Sequence, residues 1–430
     1  MLSPSSSTSG RTSALAPFRV RSFRFQWPAD LAASWAFEME TLILGWYVLV
    51  ESGSVNLLVL FGALQYLGSL FSPLFGVAAD RVGYRLLFWS TRAVYAGLAL
   101  LLGVLAANHA LTPVTVLVIA GVAGMIRPSD MVMRYALIAQ TMPAEQLLGA
   151  LGVSRITSDS ARITGALAGA GVVAVYGIAQ AYVAVTLLFL VSFSLSLGVA
   201  RHTDENKNRQ PTVAVASPLQ DLRLAFRYVW SKPDLLGAMT LAFLVNLLAF
   251  PFVLGLLPYV AKNIYDVGQT GLGLLVAGFS SGALLGSIVL GANWFVLRAA
   301  RTMIIAAGCW FASMLVFAFV TRSSIGIAIL VCAGFAQSLC LTPLAAVMLR
   351  SSAQEYRGRV MGMRMLAVWG LPAGLLISGP LIKALGFTAT AMGYASLGLL
   401  ATAAMTWRWR AHLWGADSPA NLAAAAPTST

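Results

Sequence analysis

Charge is scarce in this chain of 430 residues. Only 10% of the residues are Asp, Glu, Lys or Arg, against roughly 25% in a soluble protein. Histidine and cysteine are scarcer still, at three each. His109, His202 and His412 all fall outside the apolar stretches, so no imidazole accompanies a buried acid. That argues against the usual acid–base and zinc chemistries, and no enzymatic function is expected. Cys309, Cys332 and Cys340 lie within apolar stretches without metal-ligand spacing. They read as small buried hydrophobes and exclude a disulfide framework. No G-x-x-x-x-G-K-[ST] loop occurs, so ATP is not expected to drive this chain. No metal or cofactor is expected.

What the chain has instead is apolar mass. Hydrophobic residues make up 59% of it, and the mean hydropathy is +0.80. A water-soluble globule could not bury that much apolar surface, so the composition indicates a polytopic membrane protein. Lys and Arg outnumber Asp and Glu by 28 to 15. The sequence has no soluble domain on which this excess could form a nucleic-acid surface. The bases read instead as loops held at an anionic membrane face.

Twelve apolar stretches approach the twenty or so residues that a helix needs to cross hydrocarbon. They cover 28–50, 54–79, 85–106, 112–136, 149–174 and 178–200, then 235–260, 269–295, 302–321, 324–348, 360–384 and 387–408. Lipid admits only helices or closed barrels, and alternating strands are absent from the pattern. The expected fold is therefore an all-α membrane protein of twelve transmembrane helices in two six-helix pseudo-repeat bundles. Twenty Lys and Arg fall on one side of these spans, among them Arg134 at the end of the fourth, and three on the other. The positive-inside rule then places both termini in the cytoplasm.

The domain reading follows: a cytoplasmic tail over 1–26, one bundle over 27–200, a linker over 201–233, a second bundle over 234–410 and a cytoplasmic tail over 411–430. In the linker, Ser217-Pro218 looks like a helix start. Leu219, Leu222, Phe226 and Val229 recur at helical spacing with Arg223 and Arg227 among them. This predicts an amphipathic helix lying on the inner leaflet.

The loop after the second span reads Gly76-Val77-Ala78-Ala79-Asp80-Arg81-Val82-Gly83-Tyr84-Arg85. It resembles the G-x-x-x-D-R-x-G-R-K/R signature of major facilitator transporters, with Tyr84 where that family usually has a base. The resemblance implies that Gly76, Asp80, Arg81, Gly83 and Arg85 latch the two halves and release as they rock. Arg162-Ile163-Thr164-Gly165-Ala166-Leu167-Ala168-Gly169 is similar to a stretch associated with exporters, with Ala166 at the proline position. The second-half loop carries Glu355, Arg357, Gly358 and Arg359. Together with Trp46, Pro128 and Arg134, it resembles the bacterial siderophore-exporter and macrolide-efflux-like branch. The resemblance implies a monomeric inner-membrane transporter that takes a small-molecule substrate and protons.

Ionisable residues at mid-membrane are functional candidates by default. Glu38 and Glu40 lie about 15–18 Å into the first span at 1.5 Å per residue. Two residues apart, they point to nearly opposite faces, so one of them is expected to meet the central cavity. Arg155, Asp159 and Arg162 form one stripe on the fifth helix. Arg127 and Asp130 lie on the fourth and Arg92 on the third. Glu38, Glu40 and Asp159 are the proton-coupling candidates. Arg92, Arg127, Asp130, Arg155 and Arg162 are candidates for pairing with charge or substrate. All eight belong to the first half, so proton handling is expected there and an apolar wall in the second.

The expected function is proton-coupled antiport, exporting an amphipathic organic compound such as a drug or siderophore. An importer, or a membrane sensor on a transporter scaffold, would be the alternatives. A reporter fusion tests the topology: green fluorescent protein joined after residue 430 should fluoresce, and alkaline phosphatase at the same point should be inactive.

Overall fold

The computed structural model describes residues 16–71, 83–199, 218–291, 298–353 and 356–415. Every regular element among them is helical. The first half comprises α1 (Arg21–Ser52), α2 (Val55–Leu64), α3 (Tyr84–Ala107), α4 (Pro113–Thr141), α5 (Ala144–Tyr176) and α6 (Ile178–Leu197). The linker contributes α7 (Pro218–Ser231). The second half comprises α8 (Pro233–Leu248), α9 (Gln269–Gly291), α10 (Ala299–Phe317), α11 (Ser323–Ser351), α12 (Arg357–Ala367), α13 (Gly370–Leu385) and α14 (Phe387–Gly415).

Local chemistry sets the boundaries. Gly53 ends α1 at φ +61°, and Gly177 and Gly386 turn the chain at φ +84° and +83°, conformations that cost glycine little. Ser54 accepts a hydrogen bond from the Leu57 N–H at the start of α2. Thr112 and Thr115 form a capping box on α4. Two expected spans are interrupted. The span at 235–260 breaks into short turns after Ala249, where Pro251 and Pro258 remove backbone donors. The span at 360–384 breaks at Val368–Trp369, between α12 and α13. Pro372 has no N–H for the Val368 carbonyl, so the ladder is lost there. Cys309 and Cys332 are exposed on the outer surface, and only Cys340 is buried. The expectation that all three are buried is corrected: an apolar surrounding can be lipid as well as core.

Seven helical stretches are long and apolar enough to cross a membrane among the described residues, five in the second half and two in the first. α1 and α5 have the length, at 32 and 33 residues, but carry the ionisable side chains.

The halves meet along two seams. α5 lies against α9, and α2 against α13. Small residues make these approaches possible. A Cβ on Gly273 would come within 2.7 Å of the Ala170 methyl, and one on Gly379 within 2.7 Å of Val59. Lys262 adds a contact from the second half, its Nζ 3.5 Å from the carbonyls of Leu49 and Val50 at the end of α1. These contacts share the end of the bundle that carries the Gly53, Gly177 and Gly386 turns, opposite the termini.

α7 docks on the second half. The Tyr228 ring stacks on Tyr356 at 4.1 Å, and its hydroxyl accepts from the Ala353 N–H at 2.9 Å. Lys232 Nζ donates to the Ser351 carbonyl at 3.0 Å. Val229 is buried, whereas Phe226 is 56% exposed and stacks on the equally outward Trp230. The inward face is set by Tyr228 and Val229, which the neighbouring loop covers.

Within the second half, α13 approaches α8 so closely that a Cβ on Gly374 would lie 2.0 Å from the Leu247 carbonyl oxygen. No side chain fits there without moving backbone. Gly374→Leu should lower the thermal unfolding midpoint of the purified protein by several degrees or abolish its recovery, while Gly308→Leu, where a Cβ meets nothing within 4 Å, should leave it unchanged.

Candidate functional site

The first half holds two groups of buried charge. The first lies about 12 Å in from the end that carries the termini, since Arg92 follows the start of α3 by eight residues. Its centre is Arg92, which is fully buried. One guanidinium nitrogen donates to Asp30 Oδ1 at 2.8 Å and forms an ion pair with Asp130 Oδ1 at the same distance. Arg134 faces the same two acids, at 3.5 Å from Asp30 and 3.4 Å from Asp130. It also donates to Ser34 Oγ and Ser158 Oγ at 3.2 Å. Gln26 donates to the Arg134 carbonyl at 2.9 Å. Two acids and two bases from α1, α3 and α4 thus form a closed, neutral quartet.

The quartet revises the expected pairing. Asp30 was not among the candidate residues, because its place near the start of the first span reads as interfacial. Arg134 stood among the cytoplasmic-side bases as the one at the end of the fourth span; it is buried, so it leaves the topology count. A signal was present: Asp130 and Arg134 are i and i+4, and therefore share a helix face.

The second group faces the space between the halves. A cavity of about 630 Å³, part of it continuous with solvent, is lined from both halves. Its polar wall is Glu38, Thr41 and Arg162 from the first half and Ser280 from the second. Its apolar wall includes Leu42, Phe61, Val253, Leu257, Leu272 and Phe279. Arg162 Nε lies 3.6 Å from Glu38 Oε1, and the two side chains remain 29% and 22% exposed. Two glycines produce this pair. A Cβ on Gly165 would come within 2.8 Å of Glu38 Cβ, and one on Gly169 within 3.1 Å of Met39 Cα. Only a glycine stripe lets α5 lie this close to α1, which brings Arg162, three residues before Gly165, onto Glu38.

Glu40 points elsewhere, as expected from its spacing. It shares a smaller chamber between α1, α2 and α4 with Gln65 and Arg127. Arg127 donates to Gln65 Oε1 at 2.5 Å, and its guanidinium lies 5.2 Å above the Phe37 ring. Asp159 is buried and acts electrostatically on Arg162. Arg155 lies on α5; its side chain is outside the described residues.

The loop signature is described in part. Gly76, Asp80 and Arg81 fall outside the described residues. Gly83 precedes α3 at φ +97°, and Arg85 donates to the Leu197 carbonyl at the end of α6 at 2.7 Å. That Arg85 contact caps a helix within the first half and does not bridge the two halves. Glu355 is outside the described residues. Arg357, Gly358 and Arg359 open α12, and their side chains are not described.

A family model for the Major Facilitator Superfamily matches residues 31–376. The chain belongs to that superfamily. An all-helical chain in two halves is the major facilitator fold in this sequence. No curated protein matches the chain in sequence. Among solved structures, it is similar to the nucleoside transporter NupG, with TM-score 0.67, 14% identity, 90% of this chain and 99% of that one covered. It is also similar to a bacterial homologue of the human lysosomal transporter Spinster in an inward-facing, occupied conformation, with TM-score 0.70, 14% identity and coverages of 93% and 99%. A D-xylose–proton symporter gives TM-score 0.69 and 13% identity, with coverages of 89% and 97%. At these identities the likeness is one of fold. As a member of the superfamily, the chain is a multi-pass secondary transporter of small molecules rather than an enzyme.

The quartet sets a stability expectation. Arg92→Met leaves two carboxylates buried beside one base, which costs about 3–5 kcal/mol. Thermal unfolding of purified Arg92→Met should show a marked loss, and combining it with Asp130→Asn should recover part of it.

Proposed function

We propose that this chain is a proton-coupled antiporter of the bacterial inner membrane that exports a small amphipathic organic compound. The observation that carries the reading is the Glu38–Arg162 pair, set in an otherwise mostly apolar wall of a cavity that both halves line. Phe61, Leu272 and Phe279 would face the apolar body of such a solute, and the ion pair its polar group.

The physical requirement for coupling is a carboxyl whose partner can be displaced. Removed from water, a carboxylate holds its charge only while a cation neutralises it. At 3.6 Å through a single nitrogen, Arg162 is a replaceable partner for Glu38. A substrate bearing a positive group competes with both Arg162 and the proton for that carboxylate. Binding of one expels the other, which is the exchange that antiport needs. Glu38 and Glu40 are assigned the proton; Asp159 holds Arg162 in place.

Alternating access supplies the transport step. The halves touch through Gly273, Gly379 and Lys262 at the end opposite the termini. With both termini in the cytoplasm, this state is sealed from outside and loads from within. The signature residues Asp80, Arg81 and Arg85, with Glu355, Arg357 and Arg359, are assigned to the opposite seal, at the cytoplasmic loops.

Reconstitution in proteoliposomes with an imposed pH gradient and a panel of cationic, neutral and anionic amphipaths tests the reading. Wild type should accumulate at least one of them when the gradient is present, and Glu38→Gln should reduce that accumulation about tenfold or more, an effect of about 1.4 kcal/mol or more. Full gradient-driven accumulation by both Glu38→Gln and Glu40→Gln would defeat the assignment.

A further inference from the structure

The two glutamates of α1 open into different spaces. Two residues correspond to about 200° of helix rotation, and the consequence is visible in what surrounds each side chain. Glu38 faces the cavity between the halves. Glu40 faces a chamber of about 390 Å³ lined only by first-half residues, among them Phe37, Thr41, Gln65, Gly124 and Arg127. Thr41 and Phe61 line both spaces and form the partition.

We propose that Glu40 is a proton-binding site in a chamber the transported solute does not enter, with Arg127 alternating between Gln65 and Glu40; the use made of that proton rests on the coupled transport proposed above.

The arrangement of Arg127 is the first support. Its guanidinium is engaged by Gln65 Oε1 at 2.5 Å and by the Phe37 ring, and Glu40 makes no ion pair among the described residues. Base and acid therefore share one chamber without being joined. The same Gln65 oxygen accepts from Thr41 Oγ1 at 3.2 Å, so a single acceptor holds both the mobile base and the partition.

The remaining neighbours are the second support. Tyr95 of α3 and Tyr182 of α6 are buried, and neither hydroxyl hydrogen-bonds to a protein atom among the described residues. Both lie within electrostatic reach of Glu40. Behind Tyr95 stand Arg92 and Asp130 of the quartet, also within its reach. The charged and neutral partners that share the chamber with Glu40 are thus Arg127 and Gln65, with the Tyr95 and Tyr182 hydroxyls outside its lining but within electrostatic reach. A metal cation is disfavoured, because Glu40 is the one acid among the chamber's lining residues and a guanidinium sits beside it.

The cycle balances simply. Water in the chamber delivers a proton to the Glu40 carboxylate; the carboxyl is then neutral, and Arg127 rests on Gln65. When the proton leaves to water, the carboxylate draws Arg127 across and Gln65 is left with Thr41 alone. Thr41 stands three residues after Glu38 on the same helix, so the change reaches the wall that the solute touches.

Infrared difference spectra of the purified protein in lipid nanodiscs, recorded through a pH titration, test the assignment without any substrate. Wild type should show a protonated-carboxyl band that Glu40→Gln removes and Glu38→Gln retains. Gln65→Leu takes away the resting place of Arg127, so the band should appear only at a pH about one unit lower or more. A titrating band lost in Glu38→Gln but kept in Glu40→Gln overturns the proposal, as does the absence of any band sensitive to Glu40→Gln. The two readings fail separately. Proteoliposomes that export nothing against a pH gradient, with the Glu40 band present, remove the coupling reading and leave the proton site.

Discussion

The structure depends on one constraint: an ionised side chain inside a bilayer needs a partner of opposite sign. The first half meets it with carboxylates and guanidiniums paired across four helices, α1, α3, α4 and α5. The quartet of Asp30, Asp130, Arg92 and Arg134 is neutral as a unit. Neutrality lets the charges remain where lipid would otherwise exclude them. It also limits how they can move, since each displacement must find a new partner.

The pairs differ in how tightly they are held, and the difference follows from burial. Arg92 is sealed between two aspartates at 2.8 Å. Such a contact is costly to break and suits a framework that fixes α1, α3 and α4 together. Glu38 and Arg162 are farther apart and partly exposed to a cavity, where water or a solute can take the place of either. Arg127 rests on an amide and an aromatic face and, among the described residues, forms no ion pair with Glu40 beside it. The gradation from locked to exchangeable runs from the end that carries the termini toward the middle of the bundle. It separates a scaffold from the parts fit to work. Where the second half meets the first, glycines such as Gly273 and Gly379 let the helices approach closely.

Much of the fold could be read from the sequence. Apolar stretches of sufficient length gave the spans, and a polar stretch midway divided the halves. Glu38 and Glu40 were visible as misplaced charges, and their spacing alone required that they face different ways. Asp30 was not visible in this sense, because it stands only two residues into the apolar stretch over 28–50, where an acid can sit at the lipid interface. Nor was Arg134, which looked like one more cytoplasmic-side base. Gln65 drew no notice, since an uncharged amide in an apolar run is unremarkable until a guanidinium is found on it.

Composition and periodicity by themselves determined that this is a helical membrane protein in two halves with its charge confined to one. They could do so because hydrocarbon thickness and backbone hydrogen bonding permit few alternatives. Which acid meets which base was decided only by tertiary structure. Partners such as Asp30 and Arg92 lie 62 residues apart, and their meeting depends on how closely two helices approach. That approach is fixed by where glycines such as Gly165 and Gly169 remove the side chain between them.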